Sequence, residues 1–155
     1  MRRAYLSLGS NLGDRAEHLT RGVAIVVGAD PYRLSRVYET EPVGGVEQDD
    51  FWNLVVELDT DATPRELLAR AQAAELAQGR TRATRWGPRT LDVDVLIVGE
   101  LTSDDPEILV PHPRMFERRF VLEPLAELAP DLVDPAILAA ATGAVRPLGT
   151  LRALS

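Results

Sequence analysis

One strand of this chain combines a buried apolar face with two carboxylates. The run TLDVDVLIVG at residues 90–99 is rich in Val, Leu and Ile, which predicts a β-strand. Side chains alternate between the faces of a strand, so one face is predicted to carry Leu91, Val93, Val95 and Ile97. The other face is predicted to carry Asp92 and Asp94, with backbones roughly 6.6 Å apart, and then Leu96 and Val98. The chain must therefore fold into a sheet that buries one face of this strand.

The other elements follow from periodicity and from end signals. Strands are predicted at residues 3–9, 33–41 and 51–59, and a helix is predicted from about Asp14. The capping box Thr63-Pro64-Arg65-Glu66 predicts a second helix that ends near Gly79. A third helix, with an irregular entry, is predicted within residues 111–131. The order is β-α-β-β-α-β plus a C-terminal α/β addition, which predicts an α+β, ferredoxin-like fold with helices packed on an antiparallel sheet.

Composition narrows the class of protein. The 155 residues show no repeat or linker, so we expect a single catalytic domain over residues 1–155. All 17 basic residues are arginine, and without lysine there is neither a P-loop nor Schiff-base chemistry. The net charge of -7 disfavours nucleic acid and anionic membrane as partners. No apolar run reaches the ~18 residues that span a bilayer. The chain has no cysteine, and we expect a cytoplasmic monomer.

A cationic stretch lies directly before the carboxylate strand. There is no acid from Ala77 to Leu91, and the arginines there are Arg80, Arg82, Arg85 and Arg89. Guanidinium groups bind phosphate bidentately. Two carboxylates at this spacing can converge on one magnesium ion or bridge two. Together they favour phosphoryl transfer, in which metal ions and arginines neutralise the phosphates.

This cationic loop is predicted to be mobile without ligand, because like charges repel with no acid nearby to offset them. We expect the same of the Gly44–Gly45 loop. The structural alternative is a solvated surface loop beside a strand whose polar face meets water.

The strand at residues 51–59 offers a possible heterocycle site. Phe51 and Asn53 are predicted to point to one face and Trp52 to the other. A ring could stack on Phe51 while Asn53 pairs with its edge, although core packing around a satisfied Asn is the alternative. His112 lies in a rigid PHP turn, where it is structural or donates to a phosphate. His18 is predicted to be a surface residue.

Several motifs resemble the 6-hydroxymethyl-7,8-dihydropterin pyrophosphokinase family of folate biosynthesis. The resemblance covers roughly residues 3–135 and rests on these motifs: GSNLGD (9–14), YETEP (38–42), FWN (51–53), QGRTRATRWGPRTLDVD (78–94) and VPHPRMFERRFVL (110–122). The family transfers pyrophosphate from ATP to the hydroxymethyl oxygen of the pterin and releases AMP. The resemblance therefore implies ATP and the pterin as substrates.

The resemblance also implies roles for individual residues. Two magnesium ions would be held by Asp92 and Asp94, and Arg80 and Arg89 resemble the catalytic arginines of a mobile loop. Nucleotide contacts are implied for Gln72, Glu75, Arg82, Arg85, Trp86, His112 and Arg118. Pterin contacts are implied for Thr40, Pro42, Val43, Phe51, Asn53 and Phe120. Two departures are Phe51, where the family often has tyrosine, and Pro113, where some relatives carry an aromatic residue.

Three other functions remain open at this point. A metal-dependent phosphohydrolase could use the same aspartates and arginines on water. RNA-binding modules share the β-α-β-β-α-β order, but they need exposed aromatics in a motif that is missing here. A regulatory, non-catalytic homologue is the third, and the intact Asp92 and Asp94 argue against it.

Overall fold

The computed structural model describes residues 1–41, 48–79 and 90–155, and in them six strands form one antiparallel sheet. The strands are β1 (Arg2–Ser10), β2 (Tyr32–Leu34), β3 (Val37–Thr40), β4 (Phe51–Thr60), β5 (Asp92–Val98) and β6 (Val145–Gly149). The helices are α1 (Arg15–Val27), α2 (Pro64–Ala77), α3 (Arg119–Leu128), α4 (Pro135–Ala140) and α5 (Leu151–Leu154). Short 3-10 helices lie at Met115–Glu117 and Pro130–Leu132. The predicted α+β fold, with helices packed on an antiparallel sheet, is confirmed.

The strand order is β5-β1-β4-β3-β6, with β2 also paired to β4. The two long central strands run antiparallel from the Arg2–Thr60 pair to the Ser10–Trp52 pair. The strand order places β5 and β6 at opposite edges of the sheet. The two edge strands therefore come from parts of the sequence that are about fifty residues apart.

The strand predicted at residues 33–41 is two strands, because the chain bulges between them. Leu34 pairs with Val56 and Tyr38 pairs with Asn53, so four steps on one side oppose three on the other. Ser35 absorbs the extra residue: its hydroxyl accepts from the N–H of Val55 at 2.9 Å. A side-chain oxygen thus replaces a backbone acceptor in the ladder.

The predicted helix starts are confirmed by their caps. The Thr63 hydroxyl accepts from the N–H of Glu66 at 3.1 Å, and the Glu66 carboxylate accepts from the N–H of Thr63 at 3.2 Å. The Asp14 carboxylate accepts from the N–H of Glu17 at 3.0 Å. These bonds satisfy N–H groups that have no partner within the helix. In the described parts of the chain, none of the helices is both long and apolar enough to cross a membrane.

The sheet has a covered face and a partly open face. Helices α1 and α2 cover the first over the main core, which includes Leu6, Leu8, Leu54, Val56, Leu58, Val93 and Val95. The second face carries a smaller cluster beneath α3, which includes Tyr5, Val55, Leu96, Met115, Leu122 and Leu125. Because α3 covers only part of this face, the remainder is accessible to ligands.

The predicted alternation along β5 is right as far as Leu96 and wrong for Ile97 and Val98. Leu6 pairs with Val95 but Tyr5 pairs with Ile97, so Leu96 is an extra residue in a bulge. As a result Val98, not Ile97, joins the main core. The bulge lies after Asp94, so it leaves both aspartates on the predicted face.

Candidate active site

A cavity of about 630 Å³ lies on the open face of the sheet. Its floor comes from side chains on β5, β1, β4 and β3, namely Asp92, Asp94, Ser7, Gly9, Phe51, Asn53 and Thr40. Its walls come from residues 114–120 and from residues 142–145. One continuous space therefore joins the acidic edge strand to the aromatic end of β4.

The acidic end is built on β5. Asp92 and Asp94 are both half-buried. A carboxylate oxygen of Asp94 lies 3.7 Å from the Arg118 guanidinium, and its other oxygen lies 3.8 Å from Nε2 of His112. Opposite charges thus face each other across one wall of the cavity.

The donor chemistry of this pair suits magnesium. Magnesium prefers oxygen ligands, keeps several waters, and is commonly held by one or two carboxylates together with substrate phosphates. Within residues 1–41, 48–79 and 90–155, no group of three or more His, Cys, Asp or Glu side chains is placed to hold a metal. A carboxylate pair that opens into a cavity fits an ion shared with a phosphate ligand better than an all-protein cage.

His112 is held in one orientation by two backbone bonds. The backbone N–H of His112 donates to the carbonyl of Leu96 at 2.8 Å, and the imidazole Nδ1 accepts from the backbone N–H of Arg114 at 3.1 Å. Burial, followed by the charges of Arg118 and Arg114, lowers the pKa of His112 from its ordinary 6.5. The imidazole is therefore neutral at pH 7. Because Nδ1 is an acceptor, the one ring proton is on Nε2, which faces Asp94 as a hydrogen-bond donor.

The aromatic end is organised around Asn53. Its amide donates to the Thr40 hydroxyl at 2.9 Å, and the side chain is only 4% exposed. Gly9 lies opposite Asn53 in the sheet, where a Cβ would come within 2.4 Å of the Asn53 oxygen. Glycine is thus required at this point of the floor. Phe51 and Phe120 both line the cavity beside this amide.

The predicted register of β4 is confirmed, because Trp52 points away from the cavity. Trp52 packs against the main core, and the Arg15 guanidinium lies 4.4 Å from its ring centre. Its indole N–H donates to Glu39 at 3.3 Å. These contacts hold Trp52 on the covered face of the sheet, where it contributes to packing.

Among the described residues expected to contact nucleotide, two lie at or beside the cavity and two lie outside its lining. Arg118 lines the cavity and His112 lies beside Asp94. Glu75 is instead buried, with its carboxylate accepting from the N–H of Val93 at 2.9 Å, and Gln72 is exposed on α2 outside the cavity lining. His18 is half-buried rather than on the surface, since its Nδ1 lies 3.0 Å from the Gln78 amide oxygen.

Some expectations concern residues outside those the structure describes. They are the roles of Pro42, Val43, Arg80, Arg82, Arg85, Trp86 and Arg89, and the mobility of residues 80–89 and of Gly44–Gly45.

Other lining residues were missed by the sequence reasoning. They are Ser7, Gly9, Glu41, Arg114, Glu117, Thr142, Gly143, Ala144 and Val145. The alternation of the first strand could have identified Ser7 and Gly9, because they share a face that meets the aspartate strand. Residues 142–145 carry no local signal of function.

Comparison with known proteins identifies the family. The family model described as 7,8-dihydro-6-hydroxymethylpterin-pyrophosphokinase (HPPK) matches residues 5–130. A 2-amino-4-hydroxy-6-hydroxymethyldihydropteridine pyrophosphokinase of Bacillus subtilis is 46% identical over 81% of this chain and 77% of its own length. The protein of the same name from Pseudomonas aeruginosa is 46% identical, over 87% of this chain and 85% of its own length. The bifunctional protein FolKE of Lactococcus lactis is 42% identical over 83% of this chain and 38% of its own length. The chain belongs to the 7,8-dihydro-6-hydroxymethylpterin-pyrophosphokinase family.

Proposed function

We propose that this chain transfers pyrophosphate from ATP to the hydroxymethyl group of 6-hydroxymethyl-7,8-dihydropterin in tetrahydrofolate biosynthesis. The products are the pterin diphosphate and AMP. The observation that carries the proposal is that a single cavity joins the Asp92–Asp94 pair to the Phe51–Asn53 end. An acceptor heterocycle and a polyphosphate can therefore meet in one space.

The acceptor fits the aromatic end of the cavity. A flat pterin can stack between Phe51 and Phe120, and its amide-like edge can pair with the Asn53 side chain. The bond from Asn53 to Thr40 fixes the amide before substrate arrives. Such preorganisation lowers the entropy cost of binding.

The polyphosphate fits the acidic end. Asp92 and Asp94 would hold the magnesium, two ions by the family resemblance. The chemistry that magnesium would supply there is neutralisation of phosphate charge and acidification of the attacking hydroxyl. Arg118 supplies a fixed positive charge beside Asp94, and the Nε2–H of neutral His112 can donate to a phosphate oxygen.

The reaction asks the protein chiefly for positioning and charge stabilisation. The hydroxymethyl group gives up its proton to solvent as its oxygen bonds to the β phosphorus, the bond from that phosphorus to the α–β bridging oxygen breaks, and AMP leaves with that oxygen. The described part of the cavity orients both partners: the aromatic end holds the acceptor and the β5 edge holds the phosphates. The arginines expected to act during transfer are Arg80 and Arg89.

We propose two further properties of the chain, its location and its oligomeric state. The absence of cysteine supports a cytoplasmic location. A monomer is expected, which size-exclusion chromatography with light scattering tests directly.

The test is a reaction of ATP, magnesium and the pterin alcohol, followed by mass analysis. The proposal expects AMP and the pyrophosphorylated pterin in equal amounts. Rapid release of ADP or AMP without the pterin would instead favour a phosphohydrolase on the same site.

A further inference from the structure

The acidic end of the cavity lies at the β5 edge of the sheet, and the aromatic end lies on β4 and β3, toward the β6 edge. β5 carries Asp92 and Asp94 at one edge, and β6 forms the other. With strands about 4.8 Å apart, the four steps from β5 to β6 span about 19 Å. Val145, at the start of β6, pairs with Thr40, which holds Asn53. The β6 edge is therefore next to the aromatic end of the cavity and far from its acidic end.

A short segment, Thr142–Val145, forms the cavity wall at this edge. We call it the C-terminal wall. It consists of small residues, with Gly143 and Ala144 at its centre. It lies beyond residues 5–130, which the family model matches.

Backbone bonds attach the C-terminal wall to the segment that carries Arg118 and Phe120. The Thr142 N–H and hydroxyl both donate to the carbonyl of Glu117, at 3.1 and 3.2 Å. The Arg119 N–H donates to the carbonyl of Thr142 at 3.2 Å. The C-terminal wall therefore connects two sides of the aromatic end, namely Thr40 on β3 and the 117–120 segment.

The Arg119 side chain adds a second attachment. Its guanidinium donates to the carbonyls of Leu138 at 3.4 Å, Ala139 at 3.0 Å and Gly143 at 3.3 Å. It thus joins the C-terminal end of α4 to the wall, where a cation also interacts favourably with the helix dipole. Gly143 has a φ of 99°, a conformation that favours glycine.

We propose that the C-terminal wall determines which heterocycles this enzyme accepts, and that Arg119 is the positioning residue that holds the wall. The inference rests on the proposed function. The hydroxymethyl group must reach the phosphates near the β5 edge, so the opposite edge of the bicyclic ring faces β6. Substituents on that remote edge meet Ala144 and Val145.

The first experiment adds bulk to the wall. Ala144→Leu is expected to raise the KM and Kd for the pterin alcohol at least about tenfold while the Kd for ATP stays within about twofold. The matched control is Ala136→Leu, an exposed alanine on α4 outside the cavity lining, which should behave as wild type. Thermal unfolding and ATP binding establish that both variants are folded. An unchanged pterin KM in folded Ala144→Leu overturns the proposal.

The reciprocal experiment removes bulk. Val145→Ala keeps the backbone pairing with Thr40 but enlarges the cavity beside the C-terminal wall. Because the smaller side chain leaves more space in the cavity, the variant is expected to improve kcat/KM for pterins with an added methyl group on the remote edge, relative to the unsubstituted substrate. If Val145→Ala and wild type discriminate equally between the methylated and unsubstituted pterins, the proposed role of the C-terminal wall is wrong.

The third experiment separates positioning from stability. Arg119→Ala should raise the pterin KM with little change in kcat or in ATP affinity, and Arg119→Lys should restore part of the loss because an ammonium still donates to carbonyls. A proportional loss of ATP and pterin affinity with a lower Tm would mean a purely structural role.

The binding and transfer measurements distinguish an error in the proposed function from an error in the role proposed for the C-terminal wall. If wild type binds the pterin alcohol but transfers no pyrophosphate, the proposed function is wrong. The effect of the C-terminal wall on pterin affinity is then still measured by fluorescence, as the pterin Kd of each variant. If wild type does not bind the pterin alcohol, both proposals are overturned.

Discussion

The carboxylate of Glu75 accepts a hydrogen bond at 2.9 Å from the backbone N–H of Val93, the residue between the two cavity aspartates. Glu75 is 7% exposed, so this bond is shielded from water. Because β5 is an edge strand, the N–H of Val93 depends on a side chain for its partner. Helix α2 thereby fixes the strand that presents Asp92 and Asp94.

Glu75→Ala removes this acceptor and leaves a buried N–H unsatisfied. We expect it to lower the free energy of unfolding by about 1–3 kcal/mol, and to reduce turnover because the aspartates lose their support. Glu75→Gln retains an acceptor oxygen and should keep more of both. Urea unfolding and steady-state kinetics measure the two effects. Gln72→Ala, on the exposed side of the same helix, is the control and should leave the unfolding free energy unchanged.

The metal assignment is tested at the aspartates themselves. Asn at either Asp92 or Asp94 keeps the shape and removes the charge, so each variant should lose turnover by orders of magnitude at unchanged thermal stability. Asp104→Asn, an exposed aspartate outside the cavity lining, is the matched control. Near-normal magnesium-dependent activity in either cavity variant would remove that residue from the metal site.

The aromatic end makes a separate prediction. Phe51→Ala and Phe120→Ala should each weaken pterin binding by about 1–3 kcal/mol, the usual range for stacking of a base on an aromatic ring. Trp52→Ala should instead lower stability, since Trp52 packs on the core under Arg15. Calorimetry of pterin binding with parallel unfolding curves measures both. If Trp52→Ala and Phe51→Ala weaken pterin binding equally, Trp52 contributes to pterin binding and the assignment of Trp52 to the core alone is wrong.

The sequence was sufficient where a local rule decides the structure. Caps located the starts of α1 and α2, and strand alternation placed Phe51, Asn53, Asp92 and Asp94 on the cavity face. Each of these rules acts over a few residues. They need no knowledge of how distant segments pack.

The rest depended on tertiary structure. The bulge at Leu96 appears only when β5 is paired with β1, so Ile97 and Val98 were assigned to the wrong faces. The role of Ser35 depends on Val55, twenty residues away. The wall at residues 142–145 is formed by folding the tail back onto β3, and its small residues give no pattern to predict this.

The final prediction concerns alkaline stability. Tyr5 donates to Glu57 at 2.9 Å and Tyr38 donates to Glu127 at 2.7 Å, and each tyrosine is 4% exposed. Burial, and then the hydrogen bond to a carboxylate and its charge, raise the pKa of each tyrosine from 10 to about 12. In the unfolded chain both titrate near the ordinary value of about 10.

A pKa raised by folding stabilises the protein below the unfolded value, and that contribution is lost as the pH rises toward the folded value. The free energy of unfolding should therefore fall between about pH 10 and pH 12, by up to about 3 kcal/mol for each tyrosine. Urea unfolding across this range, with absorbance to follow phenolate formation, measures the effect. Tyr5→Phe and Tyr38→Phe should each flatten the decline, while Tyr32→Phe, at an exposed residue, should not. The same decline in Tyr5→Phe as in wild type would show that the Tyr5–Glu57 bond does not contribute to this pH dependence.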